Sequence, residues 1–333
     1  MAGVISYAQN REDVLLARCF DGQDTGFYID VGAWDPVLHS VTNHFSQRGW
    51  RGVNVEPAPE YYERLVAARP HDVNLQCVIT DHVGTTEFTV VSDSGLSTAV
   101  QLDSTFRRNL EAGGYPTSVI TLPATTLAAI CAEHLDTGTV VDFLKVDVEG
   151  FEAEVLRGAD WSTYRPRVLV VESMQPVAFD PVRRGPEVRD TSGQWEPILL
   201  ANGYRFAIDD GLNRFYVRQE DEALLPALSR PVSMLDDFVP HELWLSREDV
   251  RELTDELELT KAAAAKTEAD LRGELAEVQA SLELTTGERD GLQGRLDDLQ
   301  SRLAEVLSSH SWRVTRPMRA LSGWVRPRRH AAD

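Results

Sequence analysis

Cysteine is scarce in this chain, and the little there is argues against two chemistries. Cys19, Cys77 and Cys131 stand far apart, with no Cys-x-x-Cys pair. That spacing fits neither a disulfide framework nor a zinc site, and it reads as reduced, buried thiols of a cytosolic protein. Histidine is also thin: the eight are scattered and no His-Glu-x-x-His pair appears, so none is read as a metal ligand. Positive charge is short. Thirty-three Lys and Arg face 53 Asp and Glu, a net charge of −20. Binding phosphates needs a basic surface, so no nucleic-acid partner is expected. No uninterrupted apolar run is long enough to span a bilayer. Met1 to Asn10 has neither a basic start nor an apolar run, so no secretory leader is expected. The dinucleotide fingerprint Gly-x-Gly-x-x-Gly is missing from the first glycine loop, which reads Gly32-Ala33-Trp34-Asp35-Pro36-Val37.

What stands before that loop is informative. Phe27-Tyr28-Ile29-Asp30-Val31-Gly32-Ala33 reads as a buried strand ending in an acid and a glycine. In an open α/β sheet the carboxyl end of a strand faces the ligand crevice. Gly32 lacks a Cβ, so a ligand has access to the backbone there. Asp30 suits a cationic or hydroxyl-bearing ligand better than a bare pyrophosphate, which points to S-adenosylmethionine. About one βαβ unit later, Val53-Asn54-Val55-Glu56 is a second apolar run ending in an acid. A carboxylate at that place can accept two hydrogen bonds from a ribose diol. Glu56 also suits a helix start before Pro57.

With 333 residues the chain has room for one full α/β domain and something smaller. Three regions differ in composition. In the first, residues 1–245, short apolar runs alternate with amphipathic stretches. Strands are expected at 27–31, 52–56, 73–79, 141–147 and 168–172, with helices at 59–68, 125–134 and 150–157. Such alternation makes a parallel sheet with right-handed crossovers. The runs at 204–208 and 214–217, joined through Asp209-Asp210-Gly211, read as an antiparallel hairpin closing it. Runs at 88–91 and 119–122 add strands outside that plan. In the second region, residues 246–310, Leu271, Leu275, Val278, Leu282, Leu292, Leu296, Leu299, Leu303 and Val306 form a heptad seam, interrupted by Thr285 and Arg289. This favours a coiled coil, and so a homo-oligomer, over a solvated single helix. The third region, residues 311–333, inverts the charge, with Arg313, Arg316, Arg319, Arg326, Arg328 and Arg329 among Trp312 and Trp324. Arginine with tryptophan suits an anionic membrane surface. The other readings are a disordered tail or a docking strip for the acidic protein itself.

The densest set of reactive groups is Phe143-Leu144-Lys145-Val146-Asp147-Val148-Glu149-Gly150. Period two puts Lys145, Asp147 and Glu149 on one face of a strand, with the acids at its carboxyl edge. An alcohol attacking a sulfonium methyl must lose a proton, so a carboxylate here suits a general base, and Lys145 would hold an acid ionised. The acids also suit a divalent cation that orients a sugar diol. Glu172, ending the next strand, points to the same edge. Ser6 to Asp13 is a polar stretch placed to fold over the cofactor, or to cap a helix. Ser97 and Thr98, in Ser94-Gly95-Leu96-Ser97-Thr98, are candidate substrate contacts.

Together these motifs resemble those of FkbM-type S-adenosylmethionine-dependent methyltransferases. The resemblance rests on Tyr7-Ala8-Gln9 with Glu12-Asp13, Ile29-Asp30-Val31-Gly32-Ala33, Ser40-Val41-Thr42 and Gly49-Trp50-Arg51-Gly52 leading to Glu56-Pro57. Gly95-Leu96-Ser97-Thr98 and the run from Phe143 to Gly150 complete it. It implies a class I, Rossmann-like methyltransferase sheet, here followed by a coiled coil. It also implies S-adenosylmethionine as cofactor and O-methylation, often of sugars in glycans or natural products. By the same resemblance Asp30, Gly32 and Ala33 line the methionine side, Glu56 holds the ribose, Asp81 contacts adenine and Gln9 belongs to the cofactor side. Two residues depart from the family pattern: Arg11 stands where glycine is frequent, and Trp34 where a smaller polar residue is common. Ser311-Trp312-Arg313-Val314-Thr315-Arg316-Pro317 is similar to endings of bacterial surface-polysaccharide enzymes. The expectation is an enzyme at the inner face of the cytoplasmic membrane, beside glycosyltransferase partners. The rival is a non-catalytic coiled-coil adaptor with a decayed methyltransferase domain in a polysaccharide-assembly complex.

Overall fold

Alternating apolar runs become a seven-stranded sheet in the computed structural model, which describes residues 3–180, 182 and 185–314. Its strands are β1 (Phe27–Val31), β2 (Arg51–Val55), β3 (Val73–Leu75), β4 (Phe143–Val146), β5 (Val168–Glu172), β6 (Tyr204–Asp209) and β7 (Asn213–Arg218). Their spatial order is β6-β7-β5-β4-β1-β2-β3. β1 pairs in parallel with β2 and β4, β2 with β3, and β4 with β5. β7 runs antiparallel between β5 and β6. This is the class I methyltransferase sheet expected from the sequence. The chain reverses direction across the sheet between β1 and β4. Open α/β sheets hold their ligands at the strand ends beside such a reversal.

The sheet is buried on both faces because successive side chains point to opposite sides. Ile29 and Val31 of β1, Leu144 and Val146 of β4, and Leu169 and Val171 of β5 share one core. The helices Leu127–His134 and Glu152–Arg157 cover it. Tyr28, Phe143, Val168 and Val170 face the other way, onto Leu15 and Leu16 of the helix Glu12–Cys19 and onto Phe45 and Trp50. Each fully buried Val, Leu, Ile or Phe contributes about 1.5–3 kcal/mol. The three cysteines are free and buried.

The strand expected over 73–79 is two strands. Val73–Leu75 edges the large sheet. Val78–Thr80 instead joins a three-stranded sheet with Gly84–Val91 and Thr117–Thr126. A hairpin of Met174–Asp180 and Gly185–Asp190 follows β5 and had no counterpart in the sequence reading. The strand at 141–147 is shorter than expected and stops at Val146.

The chain divides at Arg247 and Glu248 into two compact units. The helix His241–Ser308 begins earlier than position 246 and spans 68 residues, none of them buried. Its seam residues stand in the open: Leu271 is 58% exposed and Leu282 65%. No described helix is long and apolar enough to cross a membrane. The basic tail, with Arg316, Arg319, Trp324, Arg326, Arg328 and Arg329, lies outside the described residues.

Candidate functional site

A cavity of about 630 Å³ opens at the carboxyl ends of β1, β2, β4 and β5. Nine of the twelve candidate site residues line it: Gln9, Gly32, Ala33, Glu56, Ser97, Lys145, Asp147, Glu149 and Glu172. Asp30, Asp81 and Thr98 do not. Asp30 lies one layer below, 1% exposed, where it accepts a hydrogen bond from Thr42 Oγ1 at 2.8 Å. Asp81 is turned outward and pairs with His82 Nδ1 at 2.8 Å, which lowers its carboxyl pKa. Its placement gives no support to an adenine contact.

Lys145 organises the floor. Its Nζ donates to the Gly32 carbonyl at 2.5 Å and lies 3.4 Å from Asp30 Oδ1 and 3.3 Å from Asp147 Oδ2. Burial alone would lower its pKa, but Asp147 and Asp30 outweigh burial and hold the ammonium above its ordinary value. The glycine between these groups serves the protein's own packing. A Cβ on Gly32, whose φ is +81°, would fall 1.7 Å from the Asp147 carbonyl oxygen. Gly32 still lines the cavity, but the space its missing side chain leaves is filled by the chain itself. Asp147 N–H in turn donates to the Val31 carbonyl at 3.0 Å, tying β4 to β1 at the rim.

Glu149 does not arrive by strand periodicity, because β4 ends at Val146. It arrives by a turn with left-handed backbone, φ 55°. Thr98 Oγ1 donates to the Glu149 carbonyl at 2.9 Å. Glu152 Oε1 accepts from the N–H groups of Val148 at 3.2 Å and Gly150 at 3.0 Å. Thr98, expected to touch substrate, is therefore a positioning residue, and Glu152 is a second one that the sequence reading missed. Burial raises the Glu152 carboxyl to about 7, against the opposing pull of those backbone donors. Glu149 and Glu172 are both pushed well above the usual carboxylate range, first by burial and then by the charge of Asp147.

Backbone strain gathers at this cavity. Five described non-glycine residues have positive φ, and Trp34, His39, Asp93 and Glu149 among them line it. Such residues cost on the order of 1–3 kcal/mol each and persist where the surroundings hold them. The fifth is Arg11, at φ 69°. Both family departures noted in the sequence thus sit in conformations that favour glycine. The segment before Arg11 is pinned: Asp13 accepts from Ser6 Oγ at 2.7 Å, Tyr7 N–H at 2.6 Å and Ala8 N–H at 3.2 Å. This places Gln9 at the cavity wall.

The wall divides by chemistry. On one side Glu56 accepts from Trp34 N–H at 2.8 Å and Ala58 N–H at 2.7 Å. Each of its oxygens keeps a further lone pair for a ligand hydroxyl. Cys77, Val78, Ile79 and Phe151 add apolar lining of the kind a nucleobase packs against. The acid, the apolar lining and the Gly32–Ala33 turn suit a nucleoside with a charged tail. On the other side Met174, Pro176, Phe179 and Val188 come from the unforeseen hairpin, with Tyr115 edge-on to Phe179 at 5.5 Å. Met174 and its neighbours carried no signal in sequence, since only the hairpin's fold brings them to the cavity.

The family model of the methyltransferase FkbM domain matches residues 30–206, more than half of the chain. The chain belongs to the FkbM methyltransferase family. The matched span holds the strand-end acids Asp30, Glu56, Asp147 and Glu172 together. No curated protein matches the chain. Among solved structures it is similar to the Methanococcus jannaschii fibrillarin pre-rRNA processing protein, at 13% identity and a TM-score of 0.30, over 59% of this chain and 67% of that one. It is also similar to CalO1, a methyltransferase in calicheamicin biosynthesis in its SAH-bound form. There the identity is 14% and the TM-score 0.27, over 63% of this chain and 54% of that one.

Proposed function

We propose that this FkbM-family protein is an S-adenosylmethionine-dependent O-methyltransferase acting on a sugar hydroxyl of a surface glycan, glycolipid or natural product. The observation that carries the reading is the meeting of Asp147, Glu149 and Glu172 at the rim of the cavity whose other side holds Glu56. Bound cofactor would supply an electrophilic methyl group and depart as a neutral thioether. Glu56 would accept the ribose hydroxyls, and Gly32 and Ala33 would line the methionine end. Asp147 or Glu149 would take the proton of the acceptor hydroxyl, and the Lys145 ammonium stands 3.3 Å from Asp147 Oδ2 beside them. Half-buried Tyr115, held edge-on by the buried Phe179, gives the acceptor side an aromatic ring against which a sugar can pack. The heptad seam fits self-association through Leu271–Val306, which would gather several sites near a glycan-assembly machinery at a membrane.

The test is methyl transfer from labelled S-adenosylmethionine to cell-envelope glycans, with divalent salts varied. Calorimetry with S-adenosylmethionine runs beside it. Label in a base-stable ether supports the proposal. A chain that binds no S-adenosylmethionine would instead fit the adaptor.

A further inference from the structure

The acceptor side of the cavity holds more acid than its own cation balances. Asp147, Glu149 and Glu172 each present a carboxylate oxygen, and these atoms lie within 4.8 Å of one another. They come from different places: Asp147 from the end of β4, Glu149 from the left-handed turn tied to Thr98, and Glu172 from the end of β5. Lys145 is the neighbouring ammonium, and it is already engaged by Asp30, Asp147 and the Gly32 carbonyl. The second observation is Glu172 itself. It is 7% exposed, its Oε2 is buried without a hydrogen-bond partner, and one of its carboxylate oxygens lies within 4.8 Å of those of Asp147 and Glu149. Glu149 Oε2 is buried and unpartnered in the same way. A buried acceptor facing other acceptors is costly unless a proton or a cation stands between them.

We propose that Asp147, Glu149 and Glu172 form a binding site for one hard divalent cation of the Mg²⁺ or Mn²⁺ kind. The donors are all carboxylate oxygens, with no histidine or thiolate among them, which suits such ions and disfavours zinc. Ions of this kind keep several positions for water or substrate oxygens. The role, though not the binding, rests on the methyltransferase reading. A cation there selects an acceptor that offers two neighbouring oxygens, such as a vicinal diol. It also eases loss of the hydroxyl proton to solvent or to a cluster carboxylate. Proton sharing among the three acids is the competing account, and it needs no ion.

The experiment uses the full chain and MnCl₂ alone. Free Mn²⁺ is counted by electron paramagnetic resonance at mildly alkaline pH, and S-adenosylmethionine binding is measured separately by calorimetry. The expected result is one Mn²⁺ per chain, displaced by Mg²⁺. Glu172→Gln and Asp147→Asn should each weaken it about tenfold or more, while Glu288→Gln on the exposed long helix leaves it unchanged. Circular dichroism checks that each variant folds. If Glu172→Gln does not, Glu149→Gln carries the same expectation. Mn²⁺ held equally by the cluster variants, or none taken up by a chain that binds S-adenosylmethionine, overturns the site and spares the methyltransferase reading. Uptake of Mn²⁺ by a chain that binds no S-adenosylmethionine supports the site and overturns that reading.

Discussion

Replacing Gly32 with alanine probes the contact that closes the rim of the cavity. Two costs add. The φ of +81° is left-handed backbone, which costs an L residue about 1–2 kcal/mol. The new Cβ would also stand 1.7 Å from the Asp147 carbonyl oxygen and 2.9 Å from its carbon. No rotamer change relieves that overlap, because the obstacle is backbone. Forced overpacking adds about 1–3 kcal/mol, so the total is roughly 2–5 kcal/mol. For a unit of this size that lowers Tm by roughly 4–20 °C. Gly22 supplies the control. Its φ is +78°, yet nothing lies within 4 Å of its ideal Cβ. Gly22→Ala therefore carries only the backbone part, about 1–2 kcal/mol. Urea midpoints of the two variants, with S-adenosylmethionine calorimetry on each, separate the contributions. Gly32→Ala should also weaken cofactor binding, because Asp147 must move with Lys145. Equal destabilisation of the two variants would refute the reasoning.

Burial pushes the Glu56 carboxyl up to about 7, and the ionised form is the one that accepts two ribose hydroxyls. Below that pH binding must expel a proton, so S-adenosylmethionine affinity should fall toward about tenfold per pH unit. Glu56→Gln should flatten the profile, and a flat wild-type profile counts against Glu56 as the ribose holder. Burial also raises Glu12 to about 7, against backbone donors including its own N–H. Its folded pKa lies above the ordinary carboxylate value, so its stabilising contribution is full below that value and is lost as pH rises through about 7. Glu12→Gln should make urea midpoints less pH-dependent across that window, and an unchanged slope would contradict this. For the seam, paired Leu282→Lys and Leu296→Lys substitutions should turn an oligomer into a monomer in sedimentation velocity. A wild-type chain that sediments as a monomer at micromolar concentration would exclude self-association.

Much of the sheet could be read before folding. Phe27–Val31, Val168–Glu172 and the helix Pro59–Ala68 lie where their residues predicted them, because β-branched runs and a proline-led start are local signals. The stretch over 73–79 misled, since Val73, Leu75, Cys77 and Ile79 alternate with little interruption across the point where the chain leaves one sheet for another. Period two placed Asp147 and Glu149 on one strand face, whereas the strand stops at Val146 and a turn delivers Glu149. Asp30 and Asp81 carried the right charge at strand ends. Asp30 became a buried partner of Lys145, and Asp81 turned to His82.

Sequence alone determined most strands of the large sheet, the strand-end acids and the heptad pattern, because periodicity and turn chemistry act over a few residues. Tertiary structure decided which acids meet. β4 docks between β1 and β5, the Asp147 carbonyl fills the space at Gly32, and Thr98 holds the turn at Glu149. These contacts join residues far apart in the chain, and no local pattern encodes a distance between two strand ends.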